Sequence, residues 1–465
     1  MTKRPTWATT SARLVGGTVA AVALVAGTLT AVAVVWPTHD REAVSVLAVP
    51  APSESVAACP GGLLAIGRDA SVAGAIALAA APRVVFDTGA GQPEAAVEPL
   101  VVPTVEGSTP DAFTAPPAAD TRTDLVAASS ATVAAEDLSG FAAASCLPPL
   151  LESWIVGGAT TTGYSGLLLL SNPGSVPADV QVTAYGAAGP QSPPAGRFVV
   201  APGTQRVVPL AALARDEKSP VLQIISTGAP VQATLQTSIT RTLLAGGVDQ
   251  VAPVIAPATD QTIPAVAVTA APGVEGASDP ATIVRLLAPS TSTAATVTVR
   301  SGGQTVSTSE VPLEAGLPLE LDLGGLEVGT YSVHVQSDAA VVAAVWSTTG
   351  FGEGDDFAWH AAAPRIEAGT LAAVAAGPSP TLAIANDGSD EVAVTLTADA
   401  GAGAAQEVSV PAGSTVRVVV DPDAVYRLEA SGPVQAAVGY AGDGALASYP
   451  LWPADAAASP LLVHP

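Results

Sequence analysis

Along most of the chain, apolar and polar residues alternate with a period of two, and turn residues interrupt them about every ten positions. Such alternation turns one face of a strand toward a core and the other toward water. One strand–turn–strand element recurs three times: LLLLSNPGSVPADVQVTAY (167–185), VRLLAPSTSTAATVTVRS (284–301) and TLAIANDGSDEVAVTLTAD (381–399). A second recurs as FVVAPGTQRVVPL, EVPLEAGLPLELDL and VSVPAGSTVRVVV. The third reads LQIISTGAPVQATLQTS, YSVHVQSDAAVVAAVWS and YRLEASGPVQAAVGY, an apolar stretch, a small polar turn and a strand. Turns such as Asn172-Pro173-Gly174, Pro202-Gly203, Asp387-Gly388 and Ala412-Gly413 supply preset or positive φ between strands. Roughly seven short strands per unit, at a period of about 100 residues, predict an all-β chain of tandem Ig-like or fibronectin-like β-sandwiches.

The expected sandwiches span 151–260, 261–364 and 365–465, with a less regular β-rich segment over 37–150. Trp359 in DFAWHAAAP and Trp452 in SYPLWP close the later units, and Trp154 in ESWIVGG precedes the first. Their recurrence predicts a structural role, closing a core or packing one bead on the next; a sugar-binding surface is the alternative. The stretches 89–120 and 253–280 are rich in Pro, Ala and Thr. The first is expected as a semi-extended mobile insertion and the second as a connector.

The alternation is absent at the amino terminus. LVGGTVAAVALVAGTLTAVAVVW (14–36) is 23 residues without a charge, enough to cross a hydrocarbon core of roughly 30 Å as a helix. Lys3, Arg4 and Arg13 precede it. By the positive-inside rule they hold 1–13 in the cytoplasm and export everything after Pro37, with Trp36 as an interfacial anchor. Ala31-Val32-Ala33 keeps a cleaved signal peptide open as an alternative. Val56-Ala57-Ala58-Cys59 matches a lipobox in letters but lies too far beyond the apolar run.

Cys59 and Cys146, the only cysteines, both follow the span. Outside the cytoplasm such a pair predicts a disulfide, worth about 4–5 kcal/mol for a loop on the order of 90 residues before strain is subtracted. Two buried free thiols are the alternative.

Charge narrows the function classes. The net charge is -24, and Lys3 and Lys218 are the only lysines. Nucleic-acid binding needs clustered Lys and Arg, so that class is excluded. The four histidines, His39, His334, His360 and His464, show no metal-ligand spacing, and no serine sits in a nucleophile elbow. His334 reads as an outward polar position of a strand. GGATTTGYSG (157–166) carries no lysine and reads as a hairpin rather than a phosphate loop. The acidic groups Glu353-Gly354-Asp355-Asp356, Asp387 with Asp390 and Glu391, and Asp421 with Asp423 fall at turns. They read as solvated turn residues; Ca²⁺ binding and paired carboxylates for glycan hydrolysis stay open. No catalytic, cofactor or metal residue is therefore assigned.

ESWIVGGATTTGYSGLLLLSNPGSVPADVQVTAYGAAGP, followed by VVAPGTQRVVPLAAL, resembles an uncharacterised family of actinobacterial membrane-anchored, extracytoplasmic β-rich proteins. The resemblance implies a role in envelope assembly beside a membrane glycosyltransferase, and brings no catalytic residues. The expected function is a non-enzymatic, single-pass envelope scaffold or accessory protein. A glycan-binding module or adhesin is the second expectation, an envelope glycan hydrolase the third.

Overall fold

The computed structural model describes residues 7–33, 46–48, 52–68, 72, 74–242, 244–269, 281–367, 369–398, 405–454, 456 and 461–463. They fall into two units, Met1–Pro50 with Pro460–Pro465, and Ala51–Ser459. In the smaller unit the apolar run forms a helix of 27 residues, Trp7–Ala33. The hydroxyls of Thr18, Thr28 and Thr30 donate to carbonyls three and four residues back, at 2.7–3.1 Å, so these polar groups are satisfied within the helix. Among the described residues no helix is long and apolar enough to cross a membrane. The expected span continues to Trp36, and Trp36, His39 and His464 lie outside the described residues. Val46–Ala48 pairs antiparallel with Leu461–Val463.

Among its described residues the larger unit is all-β apart from single turns of helix at Pro194–Gly196 and Leu210–Leu213. In its first sandwich, one sheet holds Glu152–Val156, Val221–Thr227, Ala178–Gly186, Gly189–Gln191 and Arg197–Val200. The other holds Thr204–Pro209, Tyr164–Asn172, Gln232–Arg241 and Leu244–Val251. The third sandwich repeats this plan. Arg365–Ile366, Val434–Gly442, Pro380–Asn386, Ser414–Val419 and Ala445–Pro450 form one sheet, and Gly369–Val374, Ala424–Ala430, Val392–Ala398 and Gln406–Val410 the other.

The recurring turn has the same physics in both. The side-chain amide of buried Asn172 donates to the carbonyls of Val176 and Val200 at 2.8 and 3.0 Å and accepts from the Gly174 N–H at 3.0 Å. Asn386 does the same with Asp390, Val410 and Gly388, at 2.8, 2.9 and 2.9 Å. One side chain thereby satisfies backbone groups that the turn takes out of the ladder.

The middle sandwich departs from the pattern. Its third element, read as strand–turn–strand, is one bent strand of 20 residues, Gly329–Thr348. The first part pairs with Thr293–Ser301 and the last part with Thr282–Leu287 and Phe357–Ala361, so one strand serves both sheets. The reason is local. STGAPV and ASGPV contain the Gly and Pro that stop a strand in the outer sandwiches, and QSDAAV contains neither.

Cys59 and Cys146 form the expected disulfide across 87 residues. The stretch 89–120 is not the mobile insertion that its composition predicts. Ala96–Pro99 and Asp111–Ala115 pair as strands, and Leu100, Val102, Val105 and Phe113 are buried. These apolar anchors outweigh the prolines between them. Buried glutamines of the first sandwich clasp the chain near Cys59. Gln236 exchanges two hydrogen bonds with the Leu64 backbone at 2.9 and 2.6 Å, and Gln205 and Gln250 donate to the carbonyls of Pro60 and Gly61.

Candidate functional site

A single cluster of buried side chains runs from Trp154 to Ala362, so the first and second sandwiches share one core. A cavity of about 690 Å³ opens at their joint, within the size range of small-molecule sites. Its walls come from the glycine-rich segment 158–164, the strand Gln232–Arg241, and Trp346, Phe357 and Trp359 of the second sandwich. The glycine-rich segment is not the hairpin expected from sequence. The strands on either side of it, Glu152–Val156 and Tyr164–Asn172, lie in opposite sheets, and the segment crosses between them.

Arg285, 2 % exposed, forms the floor. Its Nη1 donates to the carbonyls of Gly158 and Pro220 at 2.8 and 2.9 Å, and Nη2 to the Lys218 carbonyl at 3.2 Å. Nε and Nη2 both reach Glu320 Oε1, at 3.2 and 2.8 Å. All five guanidinium donors are thus engaged, and the Trp359 ring packs 4.4 Å from the guanidinium carbon. Burial lowers the Arg285 pKa, opposed by the Glu320 charge. Glu320 is pushed up by burial, but the Arg285 charge and hydrogen bond outweigh this and hold it below the usual carboxylate range. Arg285 therefore fixes the cavity's shape, with no donor left over for a guest. Threonine hydroxyls, Tyr164 and Lys218 line the rest, a lining suited to holding a polar guest against aromatic edges.

A second polar cluster lies where the segments meet. Asp356, 1 % exposed, accepts four backbone N–H groups: Val248 and Phe357 on Oδ1 at 3.1 and 3.0 Å, Phe141 and Leu446 on Oδ2 at 2.9 and 3.4 Å. Those donors belong to all three sandwiches and to the disulfide-bearing segment. Gly140 and Gly247 let the backbone come this close, since a Cβ at either would lie 2.7 or 2.6 Å from Asp356 Oδ1. Asp249 Oδ2 accepts the Trp359 N–H at 2.7 Å, while its Oδ1 is buried without a partner. Burial pushes Asp249 up to about 8, against the Trp359 N–H bond, and Asp356 up to about 7, against its four N–H donors.

His360, 1 % exposed, lies between Ser347 Oγ on Nε2 and Ser448 Oγ on Nδ1, each at 2.8 Å. Burial drives its pKa down to about 3, so the ring is neutral at physiological pH. Both serines are as buried as the ring. A Ser–His contact sealed from solvent offers a substrate no approach, and it works as a strut between the second and third sandwiches.

A profile of the family of unknown function DUF5719 matches residues 101–421. The chain belongs to this family. No curated protein matches it. One solved structure, titled "Biofilm associated protein - BSP domain", matches at 8 % identity over 89 % of this chain and 98 % of that one. Its TM-score of 0.13 carries no argument about fold or function.

The three recurring tryptophans are all buried but in unlike surroundings. Trp154 packs on Tyr185 with ring centroids 5.5 Å apart and donates to Glu152. Trp359 walls the cavity, and the Trp452 indole N–H is buried without a partner. Sequence reasoning placed two residues wrongly. Asp356 was expected in a solvated turn and is the buried junction carboxylate, while its neighbour Asp355 does cap the turn, accepting from Gly352 N–H. His334, expected to point outward, is buried and meets Asp260 at 2.9 Å. The buried charged residues missed altogether, Arg285 and Asp249, sit in strands; a charge inside an apolar strand was the signal available.

Proposed function

We propose that this protein is a non-enzymatic envelope scaffold, anchored by its amino-terminal helix and carrying its β unit outside the cytoplasm. The observation that carries the scaffold reading is Asp356, which draws N–H groups from three sandwiches and the disulfide-bearing segment onto one carboxylate. A scaffold transmits position, and a shared buried junction favours a stiff body over beads on a string. Asp249, Asp356 and His360 each make a buried contact that joins one sandwich to another. Anchoring is supported by the 23 uncharged residues at 14–36 and by the apolar surface all round the helix, with Leu14, Val19, Val22, Leu24 and Leu29 exposed. The disulfide supports an oxidising compartment.

The test is cross-linking of the full chain in intact membranes. The expected result is carboxyl-terminal epitopes open to external protease and one stable envelope partner, such as a membrane glycosyltransferase. Recovery of the chain in the cytosol, or turnover of envelope glycans by the purified protein, would end this reading. A second reading, a glycan-binding module or adhesin, is favoured by the aromatic and threonine lining of the cavity. It predicts saccharide binding that Trp346→Ala weakens without unfolding the chain.

A further inference from the structure

The face between the second and third sandwiches carries a cluster outside both the cavity and the central junction. On the second sandwich, His334 sits in the strand Gly329–Thr348 opposite Thr262 of the neighbouring strand Ala258–Val268. Asp260 lies two residues before Thr262, hence on the same face. The third sandwich supplies Asp387 from its Asn386–Gly388 turn. One ligand atom from each of Asp260, His334 and Asp387 lies within 4.8 Å of the other two.

Two carboxylates and an imidazole approach closely here. His334 Nε2 is 2.9 Å from Asp260 Oδ1, and Asp387 Oδ2 accepts the Thr262 hydroxyl at 2.6 Å. The His334 side chain is 8 % exposed, so the ring is held in place by the sheet around it. Among the described residues neither carboxylate has an ion pair to Lys or Arg. Two carboxylates and an imidazole gathered without a basic side chain form a donor set that one divalent cation would bridge. Protein oxygens and one ring nitrogen at this spacing suit a first-row ion; Ca²⁺ and Mg²⁺ prefer oxygen alone. The turn itself adds a second argument. Asn172 and Asn386 build the same turn in the two outer sandwiches, yet the next residue is Pro173 in one and Asp387 in the other. The carboxylate is not needed to make the turn.

We propose that Asp260, His334 and Asp387 bind one first-row divalent cation, zinc being the probe, and so clamp the third sandwich to the second. Three protein ligands leave a coordination position for water or for a partner's side chain. The test is calorimetric titration of the untagged, chelator-stripped full chain with ZnCl2, alongside a melting curve with and without the metal. One zinc per chain and a raised Tm are expected, with affinity falling at least tenfold in both D387N and H334Q. Asp387→Asn keeps an oxygen for the Thr262 hydroxyl, so its fold is expected intact by circular dichroism. If H334Q fails to fold, D387N and D260N decide the matter. Absence of saturable zinc binding overturns the proposal. So does zinc affinity unchanged in the folded variants, or CaCl2 binding as tightly as ZnCl2.

Discussion

The middle sandwich meets its two neighbours in different ways. Its joint to the first is a continuous apolar core crossed by a few buried polar contacts: Arg285 on the Gly158, Pro220 and Lys218 carbonyls, Asp249 on the Trp359 N–H and Asp356 on the Val248 N–H. Its joint to the third is polar: His360 on Ser448, Thr262 on Asp387, and Arg300 Nη1 on the Gly413 carbonyl at 3.1 Å. The apolar side chains shared there are few and small, Ala267, Ala358, Leu446 and Ala441. The hydrocarbon part of the first joint is insensitive to pH and ions, because burying hydrocarbon depends on neither. A polar joint built from carboxylates and imidazoles responds to both. The first pair of sandwiches thus shares a large hydrocarbon core with Asp249 and Asp356 as its titratable part, whereas the third is attached mainly through polar groups.

The largest expected effect falls on the joint between the first and second sandwiches. Arg285→Leu leaves Glu320 and three carbonyls without their donor, and should cost about 3–5 kcal/mol, read as a fall in the urea midpoint. A loss as small as a surface substitution's would mean that the core alone holds this joint. Next come the matched turns. Asn172→Ala and Asn386→Ala each remove three hydrogen bonds from a buried site, and should cost about 2–3 kcal/mol apiece. Unequal costs would place the asymmetry inside the outer sandwiches rather than in their joints.

The pH response is smaller. Asp249 and Asp356 have pKa values raised above that of an unfolded carboxyl, to about 8 and about 7. The stability they contribute when protonated is full below about 4 and is lost as pH rises through those values. His360, lowered to about 3, acts in the opposite sense: its contribution is full above about 6.5 and is lost as pH falls toward 3. Between pH 8 and 6.5 the carboxyls dominate, so unfolding should become harder by about 1–2 kcal/mol as pH falls across that window. Urea curves at the two pH values test the sign. The smallest effect is expected at the polar joint, where Ser448→Ala removes one partner of His360 for about 1 kcal/mol. Protease sensitivity between the second and third sandwiches should rise with it, while the first joint stays unchanged.

Much of the architecture was written locally. Period-two alternation marked the strands, and Asn-Pro-Gly and Asn-Asp-Gly marked the turns of the outer sandwiches. Two cysteines with no other cysteine to choose gave the disulfide. The errors were of another kind. Asp355 and Asp356 are neighbours in one acidic turn, yet one caps that turn and the other is buried among backbone donors from segments over 200 residues apart, as Phe141 shows. Proline content suggested a mobile stretch at 89–120, where Leu100, Val102 and Val105 are anchored on a partner sheet.

By itself, then, the sequence determined what depends on the nearest few residues: strand alternation, turn chemistry, an uncharged amino-terminal run and a paired set of thiols. The tertiary structure decided which polar groups are buried and with whom, including the floor of the cavity, the four-way carboxylate and the Asp260–His334–Asp387 cluster. The physical reason is range. A turn is closed by contacts three or four residues apart, whereas the environment of a buried charge is set by whichever distant strand covers it.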